Sequence, residues 1–274
     1  MPIFYDTHAH LDDPGFNSDL PQVVERAQAA GISKIICIGT DFTTSERAIA
    51  LSEQFPNVFA AVGWHPSQAV EAPAELRPAL RQLAQHPKVL AIGETGMDYY
   101  WLPSKKQGGT PEQDELLKRR QAEIFDQQLE IAAELGLNVV VHQREALEDT
   151  LHHLQKFAGR VRGVFHCFAN DAATVQRVLA MGSIVSFTGI LTFKNGQNVR
   201  DALAATPLGK FMLETDCPYM TPEPHRGKVK RSEPMHVADT ARVAAQVKGC
   251  TLDELSAATC ATAHQFFPKL PASS

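Results

Sequence analysis

The chain reads as an α/β protein, specifically a (β/α)8 TIM barrel, and three observations predict that class. Short β-branched apolar runs alternate eight times with segments of helical spacing. The length of 274 residues is close to the roughly 250 residues typical of such a barrel. Histidines and carboxylates recur where the runs end; a closed barrel opens every strand end onto one face, whereas an open doubly wound sheet would string them along a line.

The elements follow in order. The first strand begins with Ile3-Phe4-Tyr5 and runs into His8-Ala9-His10. Seven more runs follow: Lys34 to Gly39, Val58 to Gly63, Val89 to Gly93, Asn138 to His142, Gly163 to His166, Ser183 to Phe187 and Lys210 to Glu214. Between them Leu20 to Ala30, Ser45 to Phe55, Glu75 to Gln85, Glu115 to Leu135 and Ala172 to Met181 carry apolar residues at helical spacing. In the longest, Ile124, Ile131 and Leu135 share a stripe with Phe125 and Ala132. The tail from Val237 to Phe267 reads as two helices, the second starting from Thr251 as N-cap with Glu254 three residues on.

Two segments read as irregular. Trp101 to Pro111 contains Lys105, Lys106, Gly108, Gly109 and two prolines; it leaves the strand end carrying Glu94, as a substrate-facing lid or a solvated connection. Pro218 to Pro234 follows Asp216 and contains Arg226, Lys228, Lys230 and Arg231, which read as an anion site or as a solvated loop. No linker, low-complexity tract or fixed-period repeat interrupts the pattern, so one domain over 1–274 is expected.

Composition narrows the function. A hydrophobic content of 44% fills a sizeable core. A net charge of −5 argues against broad electrostatic wrapping of duplex nucleic acid, while leaving room for a local basic groove or for metals that meet phosphate. No positively charged leader precedes the first strand and no run approaches the ~18 apolar residues of a membrane span, so a cytoplasmic chain without membrane contact is expected. No obligate protein partner is indicated. The five cysteines are dispersed and lack any Cys-x-x-Cys pairing, which predicts reduced, mostly buried thiols.

The chemistry starts from His8-Ala9-His10. Alternation on a strand puts both imidazoles on one face, where they can share a metal ion. A lone His-x-His is weak evidence, and its weight comes from His65, Glu94, His142, His166 and Asp216 at other strand ends. Burying Glu94 and Asp216 is costly without cations. Imidazole and carboxylate together suit a catalytic divalent cation that keeps a position open for water. His8, His10, His142 and His166 with two carboxylates are too many for one ion, and fit two divalent cations (Zn, Mn or Mg) at the C-terminal face of the strands. Glu94, mid-chain on the fourth strand, is the candidate shared ligand. Two cations about 3.5–4 Å apart would lower the pKa of a water between them and stabilise attacking and leaving oxygens, which points to hydrolysis. His86, His152, His153 and His264 lie outside this pattern and read as surface or packing residues. Cys167 and Cys217 each follow a proposed ligand and are expected to point away from it; Glu214 shares the face of Asp216.

These residues resemble the TatD family of metal-dependent hydrolases in the amidohydrolase superfamily, nearly end to end. The resemblance is carried by Asp6-Thr7-His8-Ala9-His10-Leu11, Gly63-Trp64-His65-Pro66, Ile92 to Tyr100, Val141-His142-Gln143-Arg144, His166-Cys167-Phe168 and Leu213 to Tyr219. It implies a two-metal barrel and a hydrolytic activity most often described as deoxyribonuclease, including 3′ to 5′ exonuclease action on single strands. By that likeness one metal is bound by His8, His10, Glu94 and Asp216, and the other by Glu94, His142 and His166. Asp216 also orients or deprotonates the water, and His65 and Arg144 face the substrate. Two departures bear on substrate choice. The chain has Arg231-Ser232-Glu233-Pro234 where the family commonly has Arg-Asn-Glu-Pro, and its Trp101 to Pro111 loop is long and basic.

Three functions compete at this level. The first is a phosphodiesterase acting on single-stranded or frayed DNA ends, with Arg226 among the phosphate contacts. The second is an amide or ester hydrolase, including removal of an acyl group from a nucleic acid, because two-metal sites polarise carbonyl and phosphoryl oxygens alike. The third is a catalytically idle metal-binding protein, against which the complete ligand set speaks.

Overall fold

The computed structural model describes residues 2–106 and 108–272. Eight strands, β1 (Phe4–Ala9), β2 (Ile32–Ile38), β3 (Val58–Val62), β4 (Val89–Asp98), β5 (Asn138–Arg144), β6 (Gly163–Phe165), β7 (Ile184–Phe187) and β8 (Phe211–Leu213), pair in parallel and in sequence order. The chain after β8 closes the ring on β1. His10 N donates to Cys217 O (2.8 Å) and Asp216 N to His8 O (2.9 Å). Around the strands lie α1 (Leu20–Ala29), α2 (Phe42–Gln54), α3 (Arg77–Leu83), α4 (Pro103–Lys106), α5 (Pro111–Leu135), α6 (Leu147–Gln155), α7 (Ala172–Ala180), α8 (Gln197–Ala205), α9 (Val237–Lys248) and α10 (Leu252–Phe266). This is the (β/α)8 barrel the alternation predicts.

Strand alternation divides the core in two. Tyr5, Ile36, Phe59, Leu90, Val140, Val164, Ile184 and Met212, one from each strand, fill the barrel interior below the site, and Phe266, Phe267 and Leu270 from the chain end plug it. The opposite faces, including Ile35, Val58, Val139, Phe187 and Phe211, pack under the helices. All of these are almost fully buried, each side chain contributing on the order of 1.5–3 kcal/mol of burial free energy.

Helix ends explain where the observed elements depart from the expected ones. Asp41 caps α2 by accepting from Thr44 N, so the helix starts three residues before Ser45. Thr110 and Gln113 form a capping box with Pro111 in the first turn, so α5 starts at Pro111 rather than Glu115. The expected irregular Trp101 to Pro111 loop contains one helical turn, α4, tied to α5 where Ser104 N donates to Asp114 Oδ1 (2.9 Å). Two helices, α6 and α8, fall outside the segments assigned from spacing. Thr251 caps α10 with Glu254, as its sequence predicts. Among the described residues no helix is long and apolar enough to cross a membrane, and the five cysteines are unpaired.

Candidate metal centre

Glu94 is the hub of the strand-end face. Its Oε1 lies 2.8 Å from His166 Nε2, 2.9 Å from His142 Nδ1 and 3.1 Å from His65 Nε2. Its Oε2 lies 3.4 Å from His8 Nε2 and 3.7 Å from His10 Nε2. Asp216 Oδ1 completes the second group, 3.6 Å from His8 Nε2 and 3.5 Å from His10 Nε2. One carboxylate thus faces two clusters of imidazole nitrogens with its two oxygens.

Local sequence sets this geometry. Gly93 and Gly96 flank Glu94-Thr95 because β4 runs against β5: a Cβ on Gly93 (φ 151°) would lie 2.7 Å from Val140 Cβ, and one on Gly96 would collide with His142 O. That approach brings Glu94 against His142. Gln128 on α5 holds the backbone of Trp64 in both directions, accepting from its N (2.8 Å) and donating to its O (3.0 Å), and so fixes the chain before His65. Gln121, seven residues earlier, does the same for Asp98 (3.0 and 3.1 Å). Asp6 accepts from Thr215 N (2.9 Å) and Oγ1 (2.5 Å), locking the turn before Asp216 to the strand before His8.

Further contacts orient the imidazoles. His142 Nε2 donates to Asp98 Oδ2 at 2.9 Å, leaving Nδ1 for the centre. His10 Nδ1 donates to Ile38 O at 3.2 Å. Glu214 accepts from Cys167 N (2.6 Å) and lies 3.9 Å from His166 Nδ1. The His8 and His166 rings stack at 4.0 Å. Sequence reasoning missed Asp98, Gln121 and Gln128. Asp98 shares the β4 face of Glu94, and the glutamines interrupt the apolar stripe of α5, so each carried a signal.

The electrostatics fit cations. Burial would raise Glu94, but the charges of His166 and His65 and hydrogen bonds from His142 and His166 hold it well below the usual carboxylate range. Asp216 is likewise lowered against burial by His10 and His8. Burial, reinforced by His166, pushes His8 down to about 4, so it is neutral at pH 7. His10 and His142 go the other way despite burial, lifted to about 9 by Asp216 and Glu94 and by Asp98 and Glu94 respectively. Buried His8 Nδ1 and His166 Nδ1 have no hydrogen-bond partner, and the Nε2 atoms of His8 and His10 are only 3.3 Å apart. Protons on His10 and His142 supply positive charge that divalent cations would supply better, and the imidazole-carboxylate donor set matches such ions. The donor atoms fall into three compact groups: His8, Glu94 and His166; His8, His10 and Asp216; and His65, Glu94 and His142. These groups overlap at His8 and Glu94, and together they contain every ligand the resemblance implies, with His65 beside them.

Metal uptake is accordingly coupled to pH. At pH 7.5 His10 and His142, each near 9, carry protons, so loading the metal-free protein should release about two protons and tighten as pH rises toward 9. In the metal-free protein these raised values add stability that is complete below pH 6.5 and lost as pH climbs through about 9. Calorimetric titration in buffers of different ionisation heat measures the release, and a pH-independent proton count near zero contradicts it.

The centre lies at the bottom of a cleft of about 1380 Å³, bordered by Arg144, Trp101 and Tyr219. Small-ligand pockets span roughly 300–1,000 Å³. Arg144 stacks its guanidinium 3.7 Å over Tyr100. The basic loop behaves differently. Arg226 lies 4.0 Å over the Phe193 ring and does not line the cleft, while Arg231 is paired with Asp19 (2.6 and 2.7 Å) and Glu233 (3.1 Å). Cys217 is fully buried, but Cys167 lines the cleft, contrary to the expectation from alternation: β6 ends at Phe165 and Cys167 adopts φ 44°. His86, His153 and His264 bind Glu53 (3.3 Å), Asp126 (2.5 Å) and Tyr5 (3.0 Å), away from the centre.

A parallel barrel whose strand ends gather imidazoles around a buried carboxylate defines a metal-dependent hydrolase. Residues 5–268 match the family model described as "TatD related DNase". The chain is 35% identical over 266 residues, 97% of its length and 99% of the relative's, to "Uncharacterized metal-dependent hydrolase YabD" of Bacillus subtilis (strain 168). It is 34% identical over 268 residues, covering 96% of this chain and 99% of the other, to "3'-5' ssDNA/RNA exonuclease TatD" of Erwinia amylovora. The crystal structure of YJJV, a TatD homolog from Escherichia coli K12, superposes with a TM-score of 0.86 at 28% identity, covering 98% of each chain. The chain belongs to the TatD family of metal-dependent hydrolases.

Proposed function

We infer that this chain is a two-metal phosphodiesterase that shortens single-stranded DNA or frayed DNA from the 3′ end, as one barrel domain over 1–274. The observation that carries the reading is Glu94, whose two oxygens face separate imidazole clusters under a cleft large enough for a polymer end. The Erwinia amylovora relative, named as a 3'-5' ssDNA/RNA exonuclease, supports the substrate class. Five unpaired cysteines support a cytoplasmic setting, and the cleft is assigned to substrate without an obligate protein partner.

His8, His10, Glu94 and Asp216 would hold one ion, and Glu94, His142 and His166 the other; the imidazole share favours Zn or Mn over Mg. When bound, such cations acidify water and polarise the phosphoryl group. The chain's own groups do the rest. Asp216, ionised at neutral pH because His10 and His8 outweigh burial, accepts the proton of the attacking water. Asp98 keeps His142 Nδ1 turned to the centre through its 2.9 Å contact with Nε2. His65 and Arg144, both lining the cleft, donate to phosphate oxygens.

An amide or ester hydrolase is favoured instead by Asp12 and Asp13, which line the cleft near His10 and oppose a polyanion. Parallel assays of a labelled single strand and of acyl esters and amides, with metal content measured on the same sample, separate the readings. Strand shortening from the 3′ end, abolished by chelator and restored by metal, is the expected result. Robust activity after metal stripping, or turnover of acyl substrates alone, overturns it.

A further inference from the structure

Beside the metal cleft runs a second groove of about 980 Å³. It shares Ser67, Asp98 and Trp101 with the cleft, so Trp101 stands in the wall between them. The groove's other lining includes Val70 and Leu116, and these two residues are 74% and 61% exposed, with Trp101 at 49%. The chain's second tryptophan, Trp64, is buried and donates Nε1 to Gln68 O at 2.7 Å. Of the two, it is Trp101 that offers a flat apolar face to solvent at the site.

Positive charge lies close to that face but outside the groove's own lining, whose charged members are Glu71, Asp98 and Arg120. Lys106 Nζ lies 3.9 Å from the Tyr100 ring centroid and 5.8 Å from that of Trp101, and the Arg144 guanidinium lies 3.7 Å over Tyr100. The Tyr100 and Trp101 rings meet edge to face at 5.0 Å. An exposed aromatic face close to positive charge matches an unpaired nucleotide, whose base stacks while its phosphate meets the cation. A duplex hides its base faces in its own stack. A small acyl substrate would occupy the metal cleft and leave the groove unused.

We propose that Trp101 is a stacking platform for a nucleobase, and that the groove behind it seats the nucleotide adjoining the scissile phosphodiester of an unpaired strand. Selection is then for unpaired bases without sequence readout. The placement of the scissile bond rests on the phosphodiesterase reading; strand binding by the groove does not.

The test uses metal-loaded protein and a thymidylate decamer with phosphorothioate linkages, read by anisotropy and by tryptophan emission. Binding should quench Trp101. Trp101→Ala should weaken affinity roughly tenfold, Trp101→Phe should retain most of it, and both variants should keep the wild-type melting temperature within a few degrees. An abasic strand of equal length should bind the wild type as weakly as the thymidylate strand binds Trp101→Ala, a result that loss of structure does not produce. Equal affinity in Trp101→Ala, equal binding of the abasic strand, or no strand binding overturns the proposal. So does a dimer broken by Leu116→Glu with strand affinity unaffected by Trp101→Ala, which assigns the groove to a second copy of the chain. A strand that quenches Trp101 yet is never cut in its natural phosphodiester form sustains the groove and removes the nuclease reading.

Discussion

Glu94→Ala should reduce hydrolysis by at least about 10³-fold, the loss of roughly 4 kcal/mol of transition-state stabilisation that a metal centre supplies. The reason is its position. Among the described residues Glu94 is the one carboxylate within 3.1 Å of all three of His65, His142 and His166, and its second oxygen faces His8 and His10. Without it, five imidazoles converge with Asp216 as the anion of the His8 and His10 side alone. Metal analysis should show both ions depleted, and Glu94→Gln, which keeps the shape but not the charge, should behave almost as badly. A Glu94→Ala protein that retains two equivalents of metal and wild-type turnover contradicts the central role given to this residue.

Asp216→Asn should lower turnover by about 10²–10⁴-fold, the usual range for losing a positioned proton acceptor, while leaving the fold intact. Asparagine is the substitution that isolates the charge. Asp216 sits at φ 55°, a left-handed conformation that asparagine adopts more readily than other side chains, and its backbone N–H to His8 O closes the barrel. Alanine would mix strain with lost chemistry. The His142 and His166 side of the centre should keep its metal in Asp216→Asn, so retained metal with lost turnover is the expected pair of readings. An unchanged pH–rate profile with unchanged turnover excludes Asp216 as the proton acceptor.

Much of this site was legible along the chain. On β5 the interior residue Val140 and the site residue His142 are two positions apart, whereas His166 follows the end of β6, Asp216 lies three residues beyond β8, and a register shift separates Leu90 from Glu94 on β4. Two-residue alternation therefore carries the barrel interior directly into the site on β5, and elsewhere the legible signal was the donor type at each strand end. What alternation missed lay where strands stop. Cys167 and His65 follow the ends of β6 and β3, and beyond a strand end the pleat no longer dictates direction. That is why Cys167 lines the cleft and His65 reaches Glu94 at 3.1 Å. The basic loop misled for another reason: sequence shows charge but not its partner, and Arg231 is held by Asp19, 212 positions away.

β1 shows the division most clearly. The sequence by itself determined the alternation of strand and helix, the apolar faces that make a barrel, and the donor types His8, His10, Glu94, His142, His166 and Asp216, because these depend on period and chemistry within a few residues. Tyr5 faces the barrel interior and so does His8, three positions on, which strict alternation forbids. The register shift between Asp6 and Ala9 makes both true, with Asp6 turned to Thr215 across the closing seam. Only the tertiary structure decided that re-aiming, the hold of Asp98 on His142, and the shared wall at Trp101. Each depends on which distant strand or helix presses against the residue, a relation set by closure of the barrel.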